Sequence, residues 1–438
     1  MFNEEEFEEG LVSELDLFDL PGTQTSVNEI YYEEIRPLSA VSGDGPYEFR
    51  INGQNSTDYL DMKNSQLYVR LKVQKADGSN LGVKTVDKVG PANLFLQSLF
   101  SASEVTLQSK ATFSNNYNPY RAYIPTLLNM GQNALKSQTT TQGWIMDDWD
   151  HPGDSDPNGN NNGLFDRAVW TVNSKTLDLQ GPIFHDLFSM ERYLLNQVDV
   201  KLKMYRSPAS FALLAADAST SYKINIEDIY VLARKIRVNP AVLYGQSKHL
   251  EKRNALYPYR KVECRSQSVA TGSTSFQWDN LFQGRKPEKV IVGFVKSKAL
   301  NGDYTTNPYN FENCGITHIA LYADGLPVGG NPLKLDFTAA DGAAIMRAYT
   351  NLLMSAGKWR QDEGNGLDRN HFISGSTLFA FQLEPDFSHH GEFLSLVKHG
   401  NIRLEVQFAS GLSGRLIFCL FCVCVKLMLS SLNVFESC

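Results

Sequence analysis

The pattern of apolar and polar positions is the same near the end of each half of the chain. Residues 198–204 read VDVKLKM, and residues 402–408 read IRLEVQF. In both segments apolar side chains alternate with polar ones, which predicts a β-strand with one face in a core and one face outward. The residues predicted to be buried are Val200, Leu202, Ile402 and Leu404, and those predicted to point outward are Lys201, Lys203, Arg403 and Glu405.

The similarity of the halves extends upstream of these two strands. The further pairs, in chain order, are Thr176-Leu177 with Thr377-Leu378, Pro182 and Phe184 with Pro385 and Phe387, and Leu194-Leu195 with Leu396-Val397. Pairs in the same order at a nearly constant offset predict one β-fold used twice in tandem.

Other runs of apolar, β-branched and aromatic residues predict more strands. They lie at 67–73, 104–108, 169–172, 224–236, 290–295 and 316–325. A loop dense in Asp, Asn, Gly and Pro is predicted at 142–166. Evenly spaced strands with long excursions are typical of β-sandwiches and jelly rolls rather than of parallel α/β sheets.

One helix is predicted in the second half. Its apolar positions are Ile345, Tyr349, Leu352, Leu353 and Ala356. They repeat at helical spacing, with Asp341 as a start and Gly357 as a stop.

The chain divides into four segments by these patterns. An acidic N-terminal arm covers residues 1–29 and the first jelly roll covers 30–238. A linker covers 239–254, where the strand pattern breaks, and the second jelly roll covers 255–438 with an atypical C-terminal tail. A chain of 438 residues is long enough for two cores, each burying about 70% of its unfolded surface.

The N-terminal arm is strongly acidic. It has eight carboxylates within its first nineteen residues and no basic residue before Arg36. Its apolar residues Phe7, Leu11, Leu15 and Phe18 fall three or four positions apart. Two interpretations follow: a solvated, disordered tail, or a short amphipathic helix that forms when a partner covers this stripe.

Composition narrows the function classes. The net charge of −7 argues against binding nucleic acid through a basic surface, and no cationic segment followed by an apolar one marks the chain for secretion. Cys264 and Cys314 stand alone and the other four cysteines fall in the last twenty residues, which fits a reducing compartment.

The sequence predicts no catalytic, cofactor-binding or metal-binding site. Asp154, Asp156, Asn158 and Gly159 copy the opening of a calcium loop, but Phe165 stands where the closing Glu should be, which favours a hydrated polar turn. His389-His390 is interpreted as part of a solvated loop.

Two further segments have competing interpretations. The stretch KHLEKR at 248–253 is interpreted as linker surface, with nucleic-acid contact as the alternative. The run LIFCLFCVCV at 416–425 is too short to cross a bilayer, which takes about 20 apolar residues. Its cysteines Cys419, Cys422 and Cys424 lack a further zinc ligand nearby, so a buried final strand is predicted.

Several segments together resemble a known family. They are PANLFLQSLFSASEVTLQ (91–108), NNYNPYRAYIPTLLN (115–129), LDLQGPIFHDLFSMERYLLNQVDVKLKMYRS (177–207), NPYNFENCGITHIALYADGLPV (307–328) and TLFAFQLEPDFS (377–388). This combination resembles the major capsid protein of Polinton/Maverick elements and adintoviruses. The chain departs from that family after Gly414, where an apolar, Cys-rich tail stands; a shifted reading frame or a decayed genomic copy would produce such a tail.

The resemblance implies an all-β double jelly roll of the hexon-like lineage, with two tandem eight-stranded sandwiches. It implies a non-enzymatic major capsid protein that forms homotrimeric, pseudo-hexameric capsomers in an icosahedral virion. The implied partners are other copies of the chain and the penton and minor capsid proteins of the same element, without sequence-specific nucleic acid; membrane contact is left open. The implied location is the virion capsid after synthesis inside the host cell. The alternatives from the residues are a lectin- or adhesin-like β-sandwich, with loop 142–166 as binding surface, and a β-sandwich hydrolase, for which no nucleophile and base are found.

Overall fold

The computed structural model describes most of the chain. The described residues are 12, 14–18, 20, 22–38, 41, 45–53, 57–108, 111–282, 286–338, 344–384, 396 and 398–414, with the backbone alone for 111–112 and 416–429. The strands up to residue 238 are β1 Val27–Ile35, β2 Tyr47–Ile51, β3 Tyr59–Lys75, β4 Val89–Pro91, β5 Phe100–Leu107, β6 Ala111–Asn116, β7 Leu177–Pro182, β8 Val200–Arg206, β9 Leu213–Ala215 and β10 Tyr222–Val238.

The later strands begin at residue 256. They are β11 Leu256–Val269, β12 Ser275–Trp278, β13 Lys289–Lys296, β14 Ile316–Ala323, β15 Leu326–Pro327, β16 Leu333–Lys334, β17 Leu378–Gln382, β18 Ile402–Phe408 and β19 Leu416–Leu429. Short helices interrupt the strands: α1 Phe95–Ser98, α2 Asn118–Asn129, α3 Gln132–Lys136, α4 Asn162–Val169, α5 Ala209–Ala212, α6 Pro240–Leu250, α7 Ser297–Asn301, α8 Met346–Ser355 and α9 Arg369–Ile373.

The two halves have the same strand order. In the first half, the sheet β1-β10-β3-β7 and the sheet β2-β8-β5-β6 share one apolar core. In the second half, the sheets β11-β19-β13-β17 and β12-β18-β14-β15 repeat this order strand for strand, and β16 also pairs with β14. All these neighbours are antiparallel, so the molecule is the predicted all-β double jelly roll.

The strands that revealed the duplication occupy equivalent places. β8 and β18 each lie second in their sheets, and β7 and β17 each lie at the edge of theirs. Val200, Leu202, Ile402 and Leu404 are all fully buried, as predicted. The intervening Lys201 is exposed, and Lys203, Arg403 and Glu405 are partly exposed on the opposite face, which confirms the alternation.

The third upstream pair does not match. Leu194 is buried and pairs with Leu60, whereas Leu396 is 78% exposed. Val397, Pro385, Phe387 and His389-His390 lie outside the described residues.

Most predicted strands are confirmed, and one is wrong. Residues 169–172 are not a strand, because α4 runs from Asn162 to Val169. Asn161 caps this helix by accepting a hydrogen bond from the amide of Leu164, and Leu164 and Ala168, four residues apart, are both buried. The predicted loop 142–166 was also too long, since its last residues belong to α4.

The helix predicted in the second half is confirmed as α8. Its predicted start, Asp341, lies outside the described residues, and the helix begins at Met346. Gly357 ends it with φ of +68°, a left-handed conformation that glycine adopts without steric cost, and its amide donates to the carbonyl of Met354.

The segment between the two halves is a helix rather than an irregular linker. Pro240 is the first residue of α6, and the Asn239 side chain caps it by accepting from the amide of Ala241 at 3.0 Å. Val242 and Leu243 pack on Tyr59 and Ile236, which are buried on the first half's sheet. Strand β1 begins at Val27, three residues before the predicted start of the first jelly roll.

The Cys-rich segment forms the last strand. β19 pairs with β11 on one side and β13 on the other, which is the place that β10 holds in the first half. A final strand is therefore confirmed; the burial of Cys419, Cys422 and Cys424 lies outside the described side chains.

Candidate assembly surfaces

An aromatic cluster joins the two halves of the molecule. Tyr123 of α2 stacks on Tyr309, with ring centroids 4.1 Å apart and planes 7° from parallel. Tyr120 of the same helix packs edge-on against Phe311, with centroids 6.3 Å apart. Phe311 lies over Gly293 of β13, where an added Cβ would fall 2.6 Å from its ring. The missing side chain at Gly293 therefore lets this aromatic layer lie close against the sheet.

A buried ion pair within the first half bonds to the backbone of the second half. Arg121 of α2 pairs with Asp186, and their side chains are 6% and 5% exposed. Arg121 donates to the carbonyl of Val262 in β11, and the amide of Val262 donates to Asp186 at 3.2 Å. β11 is the outermost strand of its sheet, so this pair covers part of an otherwise open edge. Burial raises the pKa of the Asp186 carboxyl above its usual value, and the Arg121 guanidinium opposes that shift.

A second buried arginine fixes the excursion between β6 and β7. Arg167 of α4 is fully buried, and its Nη2 lies 2.7 Å from Oδ1 of Asp147. Its Nε donates to the carbonyl of Pro91 at 3.0 Å. The other carboxylate oxygen of Asp147 accepts from Asn307, which belongs to the second half, at 2.9 Å. Breaking such a network would leave buried charges unpaired, so these contacts hold the two jelly rolls in one fixed arrangement.

The sequence patterns did not reveal these contacts. Arg121 lies in the apolar segment NPYRAYIPTLLN, and Arg167 lies on a helix where the sequence pattern predicts a loop and a strand. A single cation within an otherwise apolar helical segment is the feature that could have pointed to a buried pair.

The outer face of the sheet β1-β10-β3-β7 is a first candidate contact surface. Ile30 and Tyr32 on β1 are 45% and 49% exposed. On the neighbouring strands Tyr68 and Tyr230 stack with centroids 4.5 Å apart and remain partly exposed. Adjacent partly exposed aromatic and aliphatic side chains are typical of surfaces that contact another protein.

A cleft beside α6 is a second candidate. It has a volume of about 650 Å³ and lies between the end of α6, residues 191–195 and the start of β11. The basic stretch KHLEKR forms its border, since Lys248–Leu250 end the helix and the next three residues turn toward β11.

The loop that resembles a calcium site uses its carboxylates within the chain. Asp154 accepts hydrogen bonds from the amides of Asp156 at 3.0 Å and Asn160 at 2.7 Å. Asp156 pairs with Lys88 at 3.0 Å. Among the described residues, no group of three or more His, Cys, Asp or Glu side chains is arranged to hold a metal ion.

The side chains of His185, Cys264 and Cys314 are held in unreactive states. Burial lowers the pKa of His185 to about 3, and its ring bonds the carbonyl of Phe113 and the amide of Leu187, so it is a neutral structural residue. Burial raises the pKa of the Cys264 thiol to about 12 and that of Cys314 above its usual value, which disfavours the reactive thiolate.

The described part of the acidic arm is exposed. Leu15, Phe18 and Leu20 are 62%, 94% and 92% exposed, whereas Phe7 and Leu11 lie outside the described residues. In the part of the chain that the structure describes, no helix is long and apolar enough to cross a membrane.

Comparison with known proteins gives a distant relative and a shared fold. No protein-family model matches the chain. An uncharacterized protein of Caenorhabditis elegans is 26% identical over 399 residues, which cover 89% of this chain and 92% of that protein.

Solved structures with a similar fold include chains from several viruses. The alignment with a chain from the Sputnik virophage structure covers 99% of this chain and 95% of the virophage chain, with a TM-score of 0.61 and 10% identity. The alignment with a chain of the PBCV-1 virus capsid covers 94% of this chain and 96% of the viral chain, with a TM-score of 0.56 and 10% identity. The alignment with the mavirus major capsid protein covers 97% of this chain and 95% of the mavirus protein, with a TM-score of 0.53 and 9% identity. At these identities the likeness is one of fold, and it extends over both jelly rolls.

Proposed function

We propose that this chain is a structural major capsid protein, without catalysis, of a Polinton/adintovirus-like DNA virus. The observation that carries the proposal is the repeat of one eight-stranded order in two halves that buried hydrogen bonds and an aromatic cluster hold together. The similar fold of viral capsid structures along nearly the whole chain supports it.

The proposed working unit is a homotrimer. Two similar jelly rolls per chain, multiplied by threefold symmetry, present six nearly equivalent corners, which tile a hexagonal lattice. The first jelly roll, near 30–238, and the second, near 255–438, would each supply three corners, with α6 in the linker between them. Further partners would be the penton and minor capsid proteins of the same element, and the location would be the virion capsid after synthesis in the host cell.

Sedimentation velocity of the purified protein tests the trimer. Obligate subunit interfaces bury on the order of 2,000–5,000 Å² and are largely apolar, so the trimer should persist as salt is raised. We expect three times the mass of one chain at micromolar concentration, and a monomer at every salt concentration would contradict the proposal. A control variant carries a relative's tail after Gly414, because the atypical tail supplies β19. A monomer that binds glycans would favour the lectin-like alternative.

A further inference from the structure

We infer that the cleft beside α6 receives the acidic N-terminal arm of a neighbouring copy of this chain. The inference rests on the proposed function, because it needs capsomers that meet in a lattice. It assigns a partner to a surface at the junction of the two jelly rolls.

The cleft has an apolar lining that is open to solvent. Tyr193, Leu195, Leu250 and Leu256 line it, and Tyr193 and Leu256 are 39% and 43% exposed. A volume of about 650 Å³ accommodates several side chains of a bound segment. An apolar cleft of this kind suits the apolar stripe of an amphipathic segment.

The border of the cleft carries an excess of positive charge. Its cationic side chains are Arg192 and Arg253, with exposed Lys248 and Lys252 beside them. The acids nearby are Glu191, which pairs with Lys63 at 3.3 Å, and Glu251 in the same turn. A segment with many carboxylates and no cation fits this border electrostatically.

The N-terminal arm has the complementary chemistry. Its first nineteen residues carry eight carboxylates and no Lys or Arg, and Phe7, Leu11, Leu15 and Phe18 are spaced so that they would share one face of a helix. Seating this stripe in the cleft would bury apolar surface that the isolated chain leaves in water, while the carboxylates meet the basic border.

The arm is close enough to reach the cleft of its own chain or that of a neighbouring copy. The exposure of its apolar residues indicates which of the two it occupies. The arm enters the fold beside the start of α6, where the Asn239 side chain donates to the carbonyl of Thr25 at 3.0 Å. The eleven residues of α6 span about 16 Å, whereas the seven residues from Phe18 to Thr25 can extend up to about 23 Å. Leu15 and Phe18 are nevertheless exposed in the single chain, so its own cleft is not covered by them. The occupant assigned here is therefore the arm of a second copy.

A peptide-binding experiment tests the site. A labelled peptide of residues 1–24 is titrated into protein lacking residues 2–20, with anisotropy as the readout. We expect saturable binding that weakens about tenfold or more in the Lys252→Glu/Arg253→Glu variant, and also when salt rises from about 50 to about 500 mM. Lys298→Glu, a charge reversal at an exposed lysine outside the cleft, should change the affinity less than about twofold.

A second peptide separates docking from simple charge attraction. Leu15→Ser/Phe18→Ser keeps every carboxylate, so a peptide that binds only through charge would retain its affinity. We expect about tenfold weaker binding because the apolar stripe is lost. No binding of the native peptide, or equal binding to the cleft variant and the Lys298→Glu control, would overturn the inference.

A mixing experiment tests whether the arm acts between copies. Protein lacking residues 2–20 supplies an intact cleft, and full-length Lys252→Glu/Arg253→Glu protein supplies an intact arm. We expect light scattering to show association of trimers in the mixture and in wild type, and in neither variant alone. If wild-type trimers do not associate and also do not bind the labelled peptide, each arm occupies the cleft of its own chain. That result would overturn the inference. Trimers that form without binding the peptide would refute this site and leave the proposed function standing, whereas monomers throughout would refute the proposed function.

Discussion

The third sheet position of each jelly roll, held by β3 and β13, shows how the two copies of the fold differ. In β3, residues 67–73 alternate, and Tyr68, Arg70 and Lys72 lie on an outer face that is open to solvent. In β13, every residue from Val290 to Val295 is buried. Since both strands lie between the strand that closes their half and an edge strand, the difference comes from what covers the outer face.

The cover on β13 comes from unequal excursions between equivalent strands. Between β6 and β7 the chain forms α2, α3 and α4, and α2 packs its tyrosines on Phe311 above Gly293. The corresponding excursion of the second half, between β15 and β17, contains α8 and α9 instead. The duplication thus supplies two similar barrels, and the unequal excursions attach one to the other while leaving the part of the first sheet's outer face around Tyr68 and Tyr230 open for other contacts.

The largest expected effect comes from breaking the attachment between the halves. Asp186→Ala leaves the buried Arg121 without its carboxylate, which should cost about 3–5 kcal/mol of unfolding free energy. Urea denaturation at a fixed protein concentration measures it. Asp178→Ala, at an exposed acid on the neighbouring β7, is the control and should stay within about 0.5 kcal/mol. A cost below about 1 kcal/mol for Asp186→Ala would mean that the pair does not hold the halves together.

Substitutions at equivalent core positions test whether the two barrels have similarly packed cores. Leu202→Ala in β8 and Leu404→Ala in β18 each remove a fully buried leucine, so each should destabilise the protein by about 2–5 kcal/mol. Lys201→Ala, on the outward face of β8, removes a surface pair with Glu48 and should cost less than about 1 kcal/mol. If one leucine mattered and the other did not, the two cores would not be equivalent.

The smallest of the three effects tests the difference between the outer faces. Gly293→Ala places a methyl group against Phe311 and the side chain of Leu378, which should cost about 1–3 kcal/mol. Arg70→Ala on the open face of β3 is the matched change and should stay within about 0.5 kcal/mol. A neutral Gly293→Ala would show that the aromatic layer does not lie close on β13.

Local patterns predicted the features that local residues determine. Alternation alone assigned the faces of β8 and β18, because neighbouring side chains of a strand must point to opposite sides. Helical spacing and a terminal glycine likewise located α8. The tandem order followed from comparing these local patterns between the halves.

Features that depend on distant partners were missed. Asp186 lies 65 residues from Arg121, so even where the apolar surroundings of Arg121 indicate burial, the sequence does not identify its partner. Residues 169–172 look like a strand by composition, but the cap at Asn161 and the buried pairing of Arg167 select a helix up to Val169. The cleft beside α6 also depends on three separate segments meeting at the junction of the halves.

Electron microscopy of the purified protein tests the central claim most directly. We expect particles with a hexagonal outline and threefold symmetry, in which each chain contributes two adjacent barrels of similar size. Each pair of barrels should keep one fixed separation from particle to particle, because buried hydrogen bonds with Val262 and Asn307 and the aromatic layer join them. Single chains, or barrels that vary in their separation, would contradict the claim that this molecule is a rigid two-barrel subunit of a trimeric capsomer.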